Sequence, residues 1–128
     1  MEEKMSNLFF TEEHEWVRVE GNKAYIGISN YAQSQLGDIV YVELPEMDDE
    51  VSVGDSVGVV ESVKSASDLF TPVSGTIVEI NEDLEDSPEL LNEDAMANWI
   101  VAIELSEKED LTSLMDEEDY KQFLGEDA

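Results

Sequence analysis

"VVESVKSASD", Val59–Asp68, places one of the chain's six basic residues between two β-type apolar runs. Lys64 falls where those runs must turn back, without the Asn-Gly or Asp-Gly that a tight hairpin commonly uses. Its neighbours Ser62, Val63, Ser65 and Ala66 are small or β-branched, so nothing close in sequence would wrap the ammonium. A lysine at an exposed turn is ordinarily a solvated charge. A carrier protein asks for something different: a nucleophilic amine on a long stem, held off the body by a rigid hairpin. There a modifying enzyme can reach it, and an attached group can swing between sites. The stretch alone leaves both readings open.

Outward from it, the flanking segments carry strand signals. "HEWVRVEGNKAYIGIS" has two short runs around "EGN", a hairpin pattern. In "NYAQSQLG", Asn30 is placed to cap a short helix and Gly37 to end it. "DIVYVELP" alternates, with Val40, Val42 and Leu44 expected on one face, Ile39 and Tyr41 on the other, and Pro45 closing the strand. "EVSVGDSVGVVESV" turns at Gly54-Asp55, and "DLFTPVSGTIVEIN" is broken by Pro72 and Gly75. "NWIVAIEL" sets Trp99, Val101, Ile103 and Leu105 against Ile100, Ala102 and Glu104.

From Ser106 the period becomes helical. Ser106 and Glu109 form a capping-box pair ahead of Leu111, Leu114 and Met115. Tyr120, Phe123 and Leu124 make a second stripe ending at Gly125, and both stripes are expected to pack on the sheet core. Many short strands, regular turns and two terminal helices describe an antiparallel sandwich or flattened barrel with helical additions. A chain of 128 residues makes one domain, with fraying expected at 1–6 and 125–128.

At 41% hydrophobic the chain can build a core despite a net charge of -27. Thirty-three acidic residues against six basic ones argue against nucleic acid and against an anionic membrane, since nothing would neutralise phosphates. The acidity reads either as a solubilising surface of the kind suited to high salt, or as steering toward basic faces on partner proteins. With no cysteine, disulfides and side-chain thiolate chemistry are excluded. A single histidine, His14, cannot build a His-rich metal site. No apolar run reaches membrane-spanning length, and "MEEKMSNLFF" is neither a signal nor a transit peptide, so a soluble cytoplasmic protein is expected.

Enzyme constellations are not evident. A serine triad would need His14, yet no serine lies in a nucleophile-elbow setting. "DEEDY" lacks the glycine and the ligand spacing of a calcium loop, and no Gly-rich phosphate loop is present. Carboxylates are too abundant for any pair to be informative.

"ESVKSASD" followed by "PVSG" resembles the lipoyl-attachment hairpin of the glycine cleavage system H protein family. The likeness continues in order through "EHEWVRVEG", "GISNYAQSQLGDIVYVELPE", "VGDSVGVVESVK", "SDLFTPVSGTIVEIN", "LLNEDAMANWIVAIEL" and "EEDYKQFL", from about Leu8 to Leu124. It implies a mainly β barrel-sandwich hybrid, two small antiparallel sheets with short helices and a helical C-terminus. The whole of 1–128 would form one carrier domain with its core at about 8–124.

The resemblance places lipoate on Lys64 through an amide bond, which would take the formal charge from -27 to -28 by removing one positive charge. It implies a carrier that is not itself an enzyme. In the family, a pyridoxal-phosphate-dependent glycine decarboxylase loads an aminomethyl group onto the oxidised lipoyl arm. An aminomethyltransferase releases ammonia and passes the one-carbon unit to tetrahydrofolate, and dihydrolipoamide dehydrogenase reoxidises the arm with FAD and NAD. A lipoate ligase or a lipoyl/octanoyl transferase would attach the group. A chain without thiols suits this work, because the only redox-active sulfurs would belong to the arm. The protein is expected to be monomeric.

The loaded arm is held in this family to fold back into a cleft away from water. A cationic amine there calls for a carboxylate. Glu15 in "HEW" and Asp68 after the lysine are the candidates, with Glu13 behind them and His14 as a further lining residue. Each acid is otherwise one of 33, and His14 reads equally well as an ordinary half-exposed histidine.

Three departures stand out. "NEDAMANWI" is shorter than the family segment and lacks its Pro-Tyr-Gly-type turn, Ser65-Ala66 replaces an alanine-led pair, and the acidic excess is large. A biotin carrier is disfavoured because Val63 and Ser65, not methionines, flank the lysine. The helical C-terminus and the lack of a Pro/Ala-rich linker disfavour a lipoyl domain of a 2-oxoacid dehydrogenase complex. An H-like paralogue that relays lipoate, and an unmodified acidic interaction module, remain as alternatives.

Overall fold

The computed structural model describes residues 7–125 except 107, with 108–110 described for their backbone alone. Of the fraying expected at 1–6 and 125–128, all but Gly125 lies outside the described residues, as does the proposed cap contact of Glu109.

Among the described residues, nine strands form two antiparallel sheets. In chain order they are β1 Leu8–Phe10, β2 Glu15–Glu20, β3 Lys23–Ile28, β4 Ile39–Glu43, β5 Glu50–Val51, β6 Ser56–Ser62, β7 Ala66–Phe70, β8 Gly75–Ile80 and β9 Val101–Leu105. The larger sheet runs β1-β2-β3-β9-β8-β5, and the smaller runs β4-β6-β7. The "EGN" hairpin forms as expected, with Glu20 opposite Lys23 around Gly21-Asn22.

The inner faces make the core. Val17, Ile26, Ile77, Val101 and Ile103 of the larger sheet pack in one cluster with Val42, Val57, Val60 and Leu69 of the smaller. Because side chains alternate across a strand, Trp16 points the other way from Val17. It joins Phe10 and Tyr120 in a second cluster on the outer face. Fully buried, Trp16 contributes several kcal/mol of apolar burial, of the order lost when such a side chain is truncated to alanine. Its indole N–H donates to the Ala95 carbonyl at 3.0 Å, so no polar atom is stranded.

Short helices link the strands: α1 Asn30–Leu36, α2 Asp83–Asp86, α3 Leu90–Glu93 and α4 Glu117–Phe123. Helix α1 is capped one residue earlier than expected: the Ser29 hydroxyl accepts from Ala32 N, and Asn30 is the first helical residue. The C-cap is Gly37, at φ 82, a left-handed conformation that a Cβ penalises. The segment after Ser106 is a 3₁₀ helix, Lys108–Ser113, in place of the expected α-helix. Leu111 and Leu114 nevertheless pack on the main core, and Met115 on the outer cluster. In α4, Asp116 caps, Tyr120 is buried and Leu124 packs, while Phe123 is exposed.

The alternation expected in "DIVYVELP" fails at Val40. Register shifts between Ile39 and Tyr41, a bulge that resets the phase. Ile39 and Val42 are both buried, and Val40 and Tyr41 both face out. The short segment before Trp99 is closed by Asn98, whose side-chain amide donates to the Leu90 and Asp94 carbonyls. Among the described residues, no helix is long and apolar enough to cross a membrane.

Candidate functional site

Lys64 sits at the tip of the β6–β7 hairpin. Glu61 pairs with Ala66, and Val63, Lys64 and Ser65 connect the end of β6 at Ser62 to the start of β7. None of these residues has a positive φ, which explains why no glycine is needed. Ser62 organises the tip through its hydroxyl, which accepts from the backbone N–H of Lys64 at 3.1 Å and of Ser65 at 3.2 Å. The hydroxyl lies 3.2 Å from the Ser65 carbonyl, to which it donates. This side-chain closure adds to the backbone bond from Ser62 N–H to the Ser65 carbonyl at 2.8 Å.

The lysine itself is exposed, and among the described residues its ammonium forms no ion pair. Its stem passes over Gly37, where an added Cβ would lie 3.5 Å from the lysine Cε. The amine is thus free to react, with its stem resting on the end of α1.

A cleft of about 250 Å³ opens beside the hairpin. One wall is α1, through Tyr31, Ala32, Gln35 and Leu36; the opposite wall is the hairpin, through Val60, Ser67, Asp68 and Leu69. Glu13, His14 and Glu15 line the third side, so all four acid and imidazole candidates read from the sequence meet in one place. The cleft's α1 wall ends at Gln35 and Leu36, directly before the Gly37 on which the lysine stem rests.

Thr11 shapes the loop that brings the candidates in. Its hydroxyl accepts from Glu13 N at 3.1 Å and Glu15 N at 3.2 Å, and pairs with Glu15 Oε1 at 3.2 Å. His14 adopts φ 69, uncommon outside glycine, and this turns its ring toward α1 and α4. The imidazole packs at 4.6 Å from the Tyr31 ring, and its Nδ1 is 2.8 Å from the Tyr120 hydroxyl. That hydroxyl is also 2.8 Å from Ser29 Oγ, the α1 cap. Burial holds the His14 pKa below its ordinary value, with Glu13 pulling partly the other way.

Glu15 is only 3% exposed. Its Oε2 accepts the Phe70 backbone N–H at 2.8 Å. Burial pushes its pKa up to about 7, against the lowering effects of the Phe70 and Thr11 hydrogen bonds. Asp68 is exposed on β7, with only a long 3.4 Å contact to Ser56 Oγ. Glu13 is exposed as well. The cleft therefore presents two open carboxylates and one buried, half-protonated one near neutrality, alongside apolar Ile28, Leu36, Val60 and Leu69. Among the described residues, no lysine or arginine lines it. Such a lining suits a ligand with an apolar stem and a cationic end.

Sequence reading missed three supports of the tip. Ser62 carried a findable signal, a serine two residues before the turn centre. Gly37 was read as a helix stop without its relation to the lysine stem. Asn92 carried no signal, since its partners lie more than fifty residues away: its amide donates to Gly37 O at 2.8 Å, and its Oδ1 accepts from Ile39 N at 2.7 Å.

Comparison with known proteins adds independent findings. The family described as Glycine cleavage H-protein matches residues 8–127. A glycine cleavage system H protein of Alkaliphilus oremlandii is 53% identical over 124 residues, covering 97% of this chain and 98% of the relative. One from Clostridium botulinum is 58% identical over 122 residues, covering 95% and 94%. A crystal structure of a glycine cleavage system H protein from Mycobacterium marinum superposes with a TM-score of 0.83 at 33% identity, covering 94% of this chain and 98% of that one.

Proposed function

Because the chain belongs to the glycine cleavage H-protein family, a non-catalytic lipoyl carrier of the glycine cleavage system, we propose that Lys64 is its lipoylated residue. The chain would then shuttle an aminomethyl unit from glycine decarboxylase to aminomethyltransferase and be reoxidised by dihydrolipoamide dehydrogenase. A lipoate ligase or a lipoyl/octanoyl transferase would acylate it, and the whole of 1–128 would act as one cytoplasmic carrier domain. The observation that carries this reading is the exposed amine of Lys64, without an ion pair among the described residues, at a hairpin tip beside a cleft with an acidic rim.

The residues present fit the group. Lipoate, when bound, supplies a dithiolane that accepts electrons and a carbon unit. Everything else is asked of the chain. The amine must be reached by its modifying enzyme, and the lysine is exposed at the hairpin tip. The lysine stem passes over Gly37, directly after the cleft's α1 wall. Ile28, Leu36, Val60 and Leu69 shield an apolar stem from water, and Asp68 with Glu13 offers negative charge to a cationic end. Glu15 lies deeper, where an approaching cation favours its ionised form and draws its proton off to solvent. His14, kept neutral by burial, lines the cleft without repelling a cation.

Intact-mass measurement after incubation with lipoate, ATP and a lipoate ligase tests the site. One lipoyl group is expected on the wild type and none on Lys64→Arg. A wild type that gains no mass, or a Lys64→Arg variant that gains it equally, overturns the assignment and returns the chain to an unmodified acidic module. Glycine-dependent CO2 exchange with a decarboxylase partner then separates the glycine pathway from a lipoate relay.

A further inference from the structure

The hairpin tip is not held by its own strands alone. Beside it, the β4–β6 ladder loses regularity: Ile39 pairs with Ser62, and register then shifts across the bulge at Val40. Where the ladder lapses, a second set of bonds begins. The Asp38 carbonyl accepts the Val63 backbone N–H at 3.0 Å, so the α1–β4 connection reaches the residue next to Lys64. Both residues flanking Asp38 are in turn gripped by one side chain. Asn92 of α3 donates to Gly37 O at 2.8 Å and accepts from Ile39 N at 2.7 Å. A planar amide that satisfies a donor and an acceptor two residues apart fixes the peptide planes between them, and with them the direction of the Asp38 carbonyl.

From this geometry we infer that Asn92 is a positioning residue for acylation of Lys64, acting through Gly37–Ile39 and the Val63 N–H. The inference rests on the reading of Lys64 as the acylated amine. Three features converge on it. Asn92 is half-buried and engages through both its amide nitrogen and its oxygen. The residue it clamps, Gly37, is the one over which the lysine stem lies. The opposite side of the tip is closed locally by Ser62. Val63, 67% exposed, has no apolar packing to hold its backbone, so the N–H bond to Asp38 is its tether to the body. A tip tied at one end by Ser62 and at the other by this brace presents the amine in a narrow set of orientations. A modifying enzyme gains from that narrowing, because a preorganised nucleophile loses less freedom in the transition state.

The test compares Asn92→Ala and Asn92→Asp with Asn98→Ala. Asp retains an acceptor for Ile39 N–H and loses the donor to Gly37 O. Asn98 also bonds to the backbone around α3 yet touches none of the braced residues. Two readouts are taken on the full chain: the rate of lipoyl mass gain with lipoate, ATP and a lipoate ligase, and amide hydrogen exchange at Val63. Both Asn92 variants are expected to slow acylation about five- to tenfold, chiefly in kcat/KM, as loss of about one net hydrogen bond would. Val63 exchange should accelerate in them, with Asn98→Ala near wild type in both readouts at a comparable melting temperature. Unaltered rate and exchange in the Asn92 variants overturn the inference, as does equal slowing in Asn98→Ala, which would mark a general stability effect. If the Asn92 variants fail to fold, exchange in the wild type decides. Val63 N–H should be protected like the β6 ladder amides, and open-loop exchange there overturns the brace. A wild type that is not acylated refutes the Lys64 reading instead, and Val63 exchange then judges the brace by itself.

Discussion

A carboxylate oxygen of Glu15 accepts the Phe70 backbone N–H at 2.8 Å, tying β2 of the larger sheet to the base of the hairpin that bears Lys64. The tie is a buried one, and its protonation state sets its strength. The folded chain holds the Glu15 proton up to about pH 7, whereas an exposed glutamate releases it near 4.5. Below 4.5 both folded and unfolded chains are protonated at this position. Between there and about 7 only the folded chain is, so this residue's contribution to stability falls as pH rises through that window and is level above it.

Glu15→Gln should therefore match the wild type near pH 4 and exceed it above pH 7, by at most about 3 kcal/mol. Glutamine keeps an acceptor for Phe70 N–H and carries no charge to desolvate. Urea denaturation of the two proteins at pH 4.5, 6 and 8 checks this. Taking the difference between them removes the pH response of the other carboxylates and of His14. A constant offset across the three pH values would mean that Glu15 titrates as an ordinary surface acid.

Ser62→Ala should loosen the tip while sparing the core. The hydroxyl serves two backbone donors and one carbonyl in an exposed turn, where its loss costs about 1 kcal/mol. Exchange at the Lys64 and Ser65 amides should accelerate, with Val60 and Leu69 unchanged, and lipoylation should slow several-fold. Hydrogen exchange followed by mass spectrometry reads the first, and intact mass over time reads the second.

The sandwich was legible because its strands alternate, as in "NWIVAIEL", where Val101, Ile103 and Leu105 join the main core. Trp99, read on that face, packs in the outer cluster instead, and Ile100 and Ala102 are buried as well. Where a bulge resets the phase, alternation misleads: Val40 reads as core and is 53% exposed. The α1 cap moved by one residue because serine and asparagine both cap well, and only the backbone conformation at Ser29 chooses between them. The acidic cleft residues could be named because a cationic ligand was already in view. Asn92 could not, since no local pattern marks a side chain whose partners are brought to it by tertiary packing.

Gly75→Ala probes how closely β8 and β9 of the larger sheet approach. A Cβ built at Gly75 would fall 1.9 Å from the Glu104 carbonyl oxygen and 2.9 Å from its carbon, both backbone atoms. No rotamer relieves that clash, so β8 and β9 must move apart where Gly75 pairs with Leu105. Destabilisation of about 3 kcal/mol or more is expected, lowering Tm by roughly 10 °C. Thermal unfolding by circular dichroism measures it, and a shift under 2 °C would contradict the packing.

Tyr120→Phe separates the two attachments of α4. The ring stacks on Phe10 at 4.4 Å between centroids, and phenylalanine keeps that contact. The hydroxyl, 2.8 Å from both His14 Nδ1 and Ser29 Oγ, is lost. Part-buried His14 and buried Ser29 each then lose one bond, a cost of about 1–2 kcal/mol. The His14 pKa is lowered by burial, so its contribution to stability is present above 6.5 and declines as pH falls through its folded value. If α4 loosens without the hydroxyl, His14 becomes better solvated and its titration moves up toward 6.5. Chemical denaturation at pH 7.5 and an NMR titration of the single histidine check both parts. A Tyr120→Phe protein with wild-type stability and an unmoved His14 titration would show that stacking alone seats the helix.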